Sequence, residues 1–133
     1  MSFPRRRLLG QTQLSVSPLG IGSSYGVGAK AIEAAYHEQG INLLYWGSVR
    51  RPGMKRAIRN LKAHREDLVV VLQSYDRSGV MMPLFHKKGL RDLQVEYADL
   101  LLLGWYNSDP PKRIVDQALA LKEAGLVRYI AIS

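Results

Sequence analysis

The stretch DLVVVLQ, residues 67–73, decides the fold of this chain. Its apolar run, residues 68–72, contains three β-branched valines, and a run of this length and composition predicts a strand buried on both faces. Such strands are typical of parallel sheets covered by helices. Because substrates and cofactors of parallel α/β folds bind beyond the carboxyl ends of strands, the loop that leaves this strand near Gln73 is a place to expect a site.

The alternation of strand and helix patterns extends from this stretch in both directions. Further strands are predicted at residues 19–22, 41–44, 98–103 and 126–132, the first of them short and buried. Helices are predicted at residues 29–39, 52–63, 81–93 and 111–124. An initial β-hairpin, residues 6–9 and 14–17, is predicted around a turn at Gly10. This order of elements predicts one α/β domain, residues 1–133, with five parallel strands and right-handed crossovers.

Two architectures use this alternation. A doubly wound open sheet is complete at 133 residues. An eight-fold β/α barrel needs roughly 250 residues and would be only partly present. The order of elements alone does not choose between them.

The composition is that of a soluble globular chain, with 47% hydrophobic and 23% charged residues. The absence of cysteine excludes a disulfide framework, a Cys-ligated zinc and a thiol nucleophile. No stretch is apolar for the ~20 residues that a membrane helix needs, so we expect no membrane partner. A cytoplasmic location is the default expectation. The net charge of +8 admits an anionic partner without identifying it.

Five segments carry a resemblance to a known family: RRLLGQTQLSVSPLGIGSS (6–24), GINLLYWGS (40–48), REDLVVVLQS (65–74), YADLLLLGW (97–105) and KEAGLVRYIAIS (122–133). In this order and near these spacings they resemble, segment by segment, the N-terminal part of the aldo-keto reductases. The resemblance implies a partial (β/α)8 barrel that stops before the last three βα units. It also implies NAD(P)H-dependent reduction of a small aldehyde or ketone, in which a tyrosine protonates the carbonyl oxygen.

The catalytic positions that this resemblance identifies are all substituted. The family's Asp, Tyr, Lys and His fall on Tyr45, Arg50, Gln73 and Gly104. None of these has the expected residue type, so activity does not follow from the resemblance. If the protein is an enzyme, Tyr45 beside Arg50 or Arg51 is the first candidate for a substitute acid, because a nearby cation favours the phenolate. Tyr75 is the alternative acid.

Cofactor and ligand binding are separate expectations. The resemblance implies NADP, with Gly22 and Ser133 at cofactor-binding positions, although binding by this chain alone should be weak because the later phosphate-binding loops are absent from it. The alternative to an enzyme is a non-catalytic relative, a possible pseudoenzyme. It would bind a ring-shaped ligand or a partner with its strand-end aromatics, which are Tyr45, Trp46, Trp105 and Tyr106.

Two other patterns allow competing interpretations. Glycines at 20, 22 and 26 approximate a dinucleotide-binding turn, but no acidic residue stands near Tyr45 to bind a ribose, which favours a plain glycine loop. A positive stripe could contact nucleic acid, but a solvated helix face is the preferred interpretation, and no nucleic-acid partner is expected. The stripe consists of Arg51, Lys55, Arg59 and Lys62.

Two expectations complete the sequence-based description. The three histidines, at positions 37, 64 and 86, are too scattered to predict a metal site. If the chain is a fragment of a barrel, its first and fifth parallel strands have exposed edges, and we expect self-association. The substrate, the choice between NADP and NAD, and the oligomeric state do not follow from the sequence.

Overall fold

The computed structural model describes residues 5–47 and 49–133, and this part of the chain contains seven strands and four α-helices. The strands are β1 (Arg7–Leu8), β2 (Ser15–Val16), β3 (Gly20–Gly22), β4 (Leu43–Tyr45), β5 (Val69–Ser74), β6 (Ala98–Leu103) and β7 (Val127–Ile132). The helices are α1 (Ala29–Gln39), α2 (Pro52–Asn60), α3 (Met81–Leu93) and α4 (Lys112–Glu123).

The strands form an antiparallel hairpin and one five-stranded parallel sheet. Strand β1 pairs with β2, and the sheet has the order β3-β4-β5-β6-β7. This confirms the predicted α/β class, with five parallel strands, four helices and an N-terminal hairpin. The chain divides into two compact units, the first ending at Val70 and the second covering residues 71–133.

Helix α2 carries the apolar face that its sequence predicts. Met54, Ala57 and Ile58 are at most 1% exposed, and Leu61, directly after the helix, is 2% exposed. Pro52 stands at the first turn, where its missing N–H costs no hydrogen bond. The helix ends at Asn60 and a short 3₁₀ turn, Lys62–His64, follows, so the predicted helix over residues 52–63 is divided in two.

A buried asparagine ties the hairpin to the rest of the first unit. The Asn42 side chain is fully buried, and its Oδ1 accepts a hydrogen bond from the backbone N–H of Ser17 at 2.8 Å. Its Nδ2 donates to the carbonyl oxygens of Ser15, at 2.9 Å, and Asp67, at 2.8 Å. One amide group thus satisfies three backbone groups from two segments far apart in sequence.

A second polar cluster joins the start of the hairpin to Asp67. The Arg6 guanidinium donates to both Asp67 carboxylate oxygens, and the Tyr36 hydroxyl donates to Oδ2 at 2.8 Å. The hydrogen bond from Arg6 lowers the pKa of Asp67. Partial burial, followed by the hydrogen bond to Asp67, raises the pKa of Tyr36 to about 12.

Strand β3 is less buried than its sequence predicts. The predicted strand over residues 19–22 begins at Gly20, and Leu19 beside it is 53% exposed. The reason is its position, because β3 is an edge strand with only β4 as a neighbour. Strand β7 occupies the other edge. Self-association through these edges stays a prediction.

The second unit contains α3, whose sequence includes Pro83 and Gly89. The helix spans the predicted residues, because Pro83 lies in its first turn, where no intrahelical N–H is needed. Asp76 caps it from the preceding loop, since Oδ2 accepts the backbone N–H groups of Met81, at 3.0 Å, and Met82, at 2.9 Å. The free N–H groups of the first turn are thereby satisfied.

Replacing Asp76 with alanine should lower the free energy of unfolding by about 1 kcal/mol, the usual value of such a cap. Partial burial opposes ionisation, but hydrogen bonds from Ser78, Met82 and Met81 outweigh it and lower the pKa of Asp76. Because the pKa of Asp76 is lower in the folded than in the unfolded chain, its ionised carboxylate stabilises the fold at pH values above about 3.9, the unfolded-state pKa. This stabilisation is lost as the pH falls through the lower, folded-state pKa. Urea unfolding at pH 7 and pH 3 measures both effects. An equal loss at the two pH values would contradict the ionised cap.

Candidate functional site at the strand ends

Tyr45 is the last residue of β4, and its ring lies directly over Gly47. A Cβ atom at Gly47 would lie under 3.0 Å from the ring carbons and the hydroxyl oxygen of Tyr45. A Cβ at Gly22 would lie 3.7 Å from Tyr45 Cδ1. The half-buried Tyr45 ring therefore occupies the space that a side chain at position 47 would need. Tyr45 itself stands at the position to which the resemblance assigns the family's Asp.

The next residue, Trp46, is only 2% exposed. Its indole N–H donates to the Arg51 carbonyl oxygen at 3.1 Å, and the Arg50 guanidinium carbon lies 5.0 Å from its ring centroid. The Arg51 Nε–H donates to the Ser24 carbonyl oxygen at 3.1 Å. Trp46 thus packs inside the first unit, and the ligand-binding role predicted for it stays a prediction.

In the second unit, Gln73 and Tyr75 fill the space above Gly104. A Cβ atom at Gly104 would lie under 3.0 Å from Gln73 Nε2 and from the Tyr75 ring. The Tyr75 hydroxyl donates to Gln73 Oε1 at 2.9 Å, and Gln73 is 7% exposed. Two of the predicted positions, Gln73 and Gly104, are therefore brought together with the alternative acid Tyr75. A neutral amide stands where the resemblance places a lysine.

Trp105 extends this aromatic group outward. Its ring centroid lies 5.2 Å from that of Tyr75, in an edge-to-face arrangement, and 76% of the residue is exposed. Its φ angle is +61°, a left-handed conformation that a bulky side chain rarely adopts. Local backbone strain of this kind persists where surrounding contacts fix the chain.

Arg77 supplies those contacts, although no motif or pattern in the sequence marks it as a site residue. Its Nη2 donates to the carbonyl oxygens of Gly104, at 2.7 Å, and Trp105, at 3.0 Å. Its guanidinium carbon lies 4.0 Å from the ring centroid of Tyr106. Arg113 in turn donates to the Arg77 carbonyl oxygen at 2.8 Å. Arg77 thus holds the loop after β6, and only its position shortly after a strand end could have suggested it.

Ser133 also contacts this loop. Its Oγ accepts the Trp105 N–H at 3.3 Å, and its carbonyl oxygen accepts the Tyr106 N–H at 2.8 Å. The hydroxyl keeps its O–H as a donor, because Oγ uses only an acceptor position in this contact. Ser133 can therefore offer one hydrogen bond to the amide of a nicotinamide, which fits the position that the resemblance assigns to it.

The histidines are not as scattered as the sequence predicts. The ring centroids of His37 and His64 lie 5.3 Å apart, and both are near the ring of Tyr36. His86 is buried, with Nε2 2.8 Å from the Leu126 carbonyl oxygen. Among residues 5–47 and 49–133, no three His, Cys, Asp or Glu side chains form a set able to hold a metal ion.

The lengths and compositions of the four helices show whether any of them could span a membrane. None of those in the described part of the chain combines the length and the apolar character required to span a bilayer.

Comparison with known proteins finds a likeness in structure. No protein-family model and no curated protein sequence matches the chain. An aldo-keto reductase from Bacillus halodurans is 29% identical with a TM-score of 0.81, and the match covers 97% of this chain and 50% of that one. A protein from Pseudomonas aeruginosa, described as a candidate aldo-keto reductase, is 24% identical with a TM-score of 0.80, covering 96% of this chain and 59% of that one.

A third match is an aldo/keto reductase from Klebsiella pneumoniae, solved in complex with NADP and acetate. It is 21% identical with a TM-score of 0.76, over 90% of this chain and 46% of that one. The predicted resemblance to aldo-keto reductases is therefore confirmed in structure, as expected for the N-terminal portion of such a barrel. The chain spans about half the length of the solved structures it matches.

Proposed function

We propose that this chain is part of an aldo-keto reductase-like protein that binds a ligand at its strand ends without the family's catalytic groups. The observation that carries the proposal is the filling of the space above Gly104. The Gln73 amide and the Tyr75 ring occupy the volume that a histidine at position 104 would need. A substrate carbonyl consequently meets neither the lysine nor the histidine of the family at these positions.

The chemistry of proton donation supports this proposal. A tyrosine that protonates a developing alkoxide near neutral pH needs a neighbouring cation to tune it. The Tyr75 hydroxyl instead donates its hydrogen bond to a neutral amide oxygen. Arg77, the nearby cation of the same loop, is engaged with two backbone carbonyls and the ring of Tyr106.

The aromatic group suits a ligand with a planar ring. Trp105 is largely exposed, so its ring face is open to a ligand. Its backbone is held by hydrogen bonds with Arg77 and Ser133. Aromatic side chains with a few fixed polar groups are typical of ligand sites. The ligand inferred from the resemblance is NADP, with the Ser133 O–H donating to the carboxamide. When bound in its reduced form, this cofactor would supply a hydride.

A second candidate function is carbonyl reduction with Tyr75 as the substitute acid. One observation favours it, because Tyr75 is 37% exposed and its hydroxyl is fixed at 2.9 Å from Gln73 Oε1. An oriented and accessible phenol could reach a substrate oxygen. In this second function the substrate is the small aldehyde or ketone that the resemblance implies.

NADPH titration and turnover assays with the full-length protein containing this chain separate the two functions. We expect saturable NADPH binding, detected by its fluorescence, and no carbonyl-dependent loss of NADPH absorbance across a panel of aldehydes and ketones. Trp105→Ala should weaken binding about tenfold, since stacking on a tryptophan contributes 1–3 kcal/mol. Phe85→Ala, which removes an exposed aromatic ring on α3, should leave binding unchanged.

Two results would contradict the proposal. Turnover that Tyr75→Phe abolishes while NADPH affinity is retained would establish the second candidate in its place. Equal losses of affinity in Trp105→Ala and Phe85→Ala would show that Trp105 does not contact the ligand specifically.

A further inference from the structure

The outer face of α2 contains a concave site that the strand ends do not use. A cavity of about 490 Å³ is lined by Pro52, Lys55, Arg56, Arg59 and Asn60. From one turn to the next, Pro52 is followed by Lys55 and Arg56, and these by Arg59 and Asn60, at separations of three or four residues, so the five positions share one face. The opposite face is the buried one, formed by Met54, Ala57 and Ile58. The cavity is therefore on the solvent side of a well-anchored helix.

Three of the five lining side chains are cations. Lys55 and Arg56 form no hydrogen bond or ion pair with any residue that the structure describes. Arg59 lies one turn beyond Lys55, about 6 Å along the helix axis. Like charges on adjacent turns repel, and this repulsion is relieved when an anion lies between them.

The described polar neighbours of the cavity leave the charges of Lys55 and Arg56 uncompensated. Asn60 donates through Nδ2 to Glu33 Oε1 at 2.8 Å, which holds that carboxylate at the Asn60 end of the cavity. None of the lining residues is acidic. An incoming anion would thus meet two cations without partners, and it would also meet Arg59.

The cations that line the cavity cover a shorter part of the chain than the positive stripe predicted from the sequence, which runs from Arg51 to Lys62. Arg51 turns its side chain to the Ser24 carbonyl oxygen, and Lys62 follows the end of the helix in the 3₁₀ turn. Neither lines the cavity. The remaining cations converge on one concavity, which favours a compact anion over the extended backbone of a nucleic acid.

We propose that this cavity binds the phosphate group of a small soluble molecule, either a phosphate monoester or a diphosphate. A group with two or more negative charges matches three converging cations better than a single carboxylate does. The guanidinium of Arg56 can form paired, charge-assisted hydrogen bonds with phosphate oxygens. The site is independent of the strand-end aromatics, and its occupancy does not require NADPH binding.

Inorganic pyrophosphate is the probe, titrated calorimetrically into the protein at low ionic strength. We expect saturable binding at one site, weakening as salt is added because the cations are partly exposed to solvent. The double variant Lys55→Gln/Arg56→Gln should weaken binding about tenfold or more, as expected for the loss of hydrogen bonds to a charged group. The control Lys30→Gln/Arg91→Gln makes the same change of charge at exposed positions on α1 and α3 and should bind normally.

Circular dichroism and urea unfolding verify that both variants fold. Absence of saturable binding to the wild-type protein would overturn the proposal, and so would an equal loss in the control variant, which would indicate net charge alone. Two further arms use a mixed-sequence single-stranded oligonucleotide and vesicles containing phosphatidic acid. Binding confined to either of these would overturn the proposal in favour of a nucleic acid or a lipid surface.

Discussion

Asn42→Ala will lower the free energy of unfolding by about 3–5 kcal/mol, the largest effect we expect from a single substitution. The variant loses three hydrogen bonds and leaves the Ser17 N–H and the carbonyl oxygens of Ser15 and Asp67 without that partner. Each satisfied bond contributes about 1 kcal/mol, and a buried unsatisfied group adds about 1–3 kcal/mol. The midpoint of urea unfolding, monitored by far-UV circular dichroism, measures the loss.

Asn60→Ala is the matched control for this experiment. Its side chain is exposed and makes one hydrogen bond, to Glu33 Oε1. We expect a change within about 0.5 kcal/mol, as for other surface substitutions. If the two alanine variants unfold at the same urea concentration, the Asn42 amide does not stabilise the first unit in the way described.

Gly53→Ala should destabilise the fold by about 1–3 kcal/mol, the usual cost of overpacking. This prediction opposes helix propensity, because alanine is favoured over glycine within a helix by about 1 kcal/mol. The reason is steric. A Cβ at Gly53 would lie under 3.0 Å from the Val27 carbonyl oxygen and 3.3 Å from Gly28 Cα. Both are backbone atoms, so no side-chain rotation relieves the overlap and helix α2 must shift.

Gly22→Ala provides the comparison. An added methyl there meets only Tyr45 Cδ1 at 3.7 Å, an ordinary van der Waals contact, and the residue has a negative φ. Its unfolding midpoint should stay close to that of the wild-type chain. A Gly53→Ala variant more stable than wild type would mean that the approach of α2 to residues 27 and 28 is looser than described.

Helices could be predicted from the sequence because burial of one face imposes a periodic pattern, and inner strands because burial of both faces requires a continuous apolar run. The residues predicted for α3 and β6 match the observed elements, and Leu68, Val70 and Leu72 are at most 1% exposed. The exposure of Leu19 could not be predicted in this way. It depends on whether a second strand covers β3, which is a property of the strand order and not of the local sequence.

The candidate site was only partly predictable for a related reason. The residue types at the four positions that the resemblance assigns to the family's catalytic residues are visible in the sequence. The packing of Gln73 and Tyr75 over Gly104 is not, because it brings together residues about 30 positions apart through the pairing of β5 with β6. Arg77 was missed because its partners are backbone carbonyls, which every residue has.

The contact of Gln73 and Tyr75 with Gly104 has a consequence for how this chain could change through mutation. A histidine introduced at position 104 would collide with both side chains, so the benefit of that substitution depends on earlier changes at positions 73 and 75. Mutations at touching positions are energetically coupled. Gly104→His is therefore expected to destabilise the fold unless smaller side chains first replace Gln73 and Tyr75.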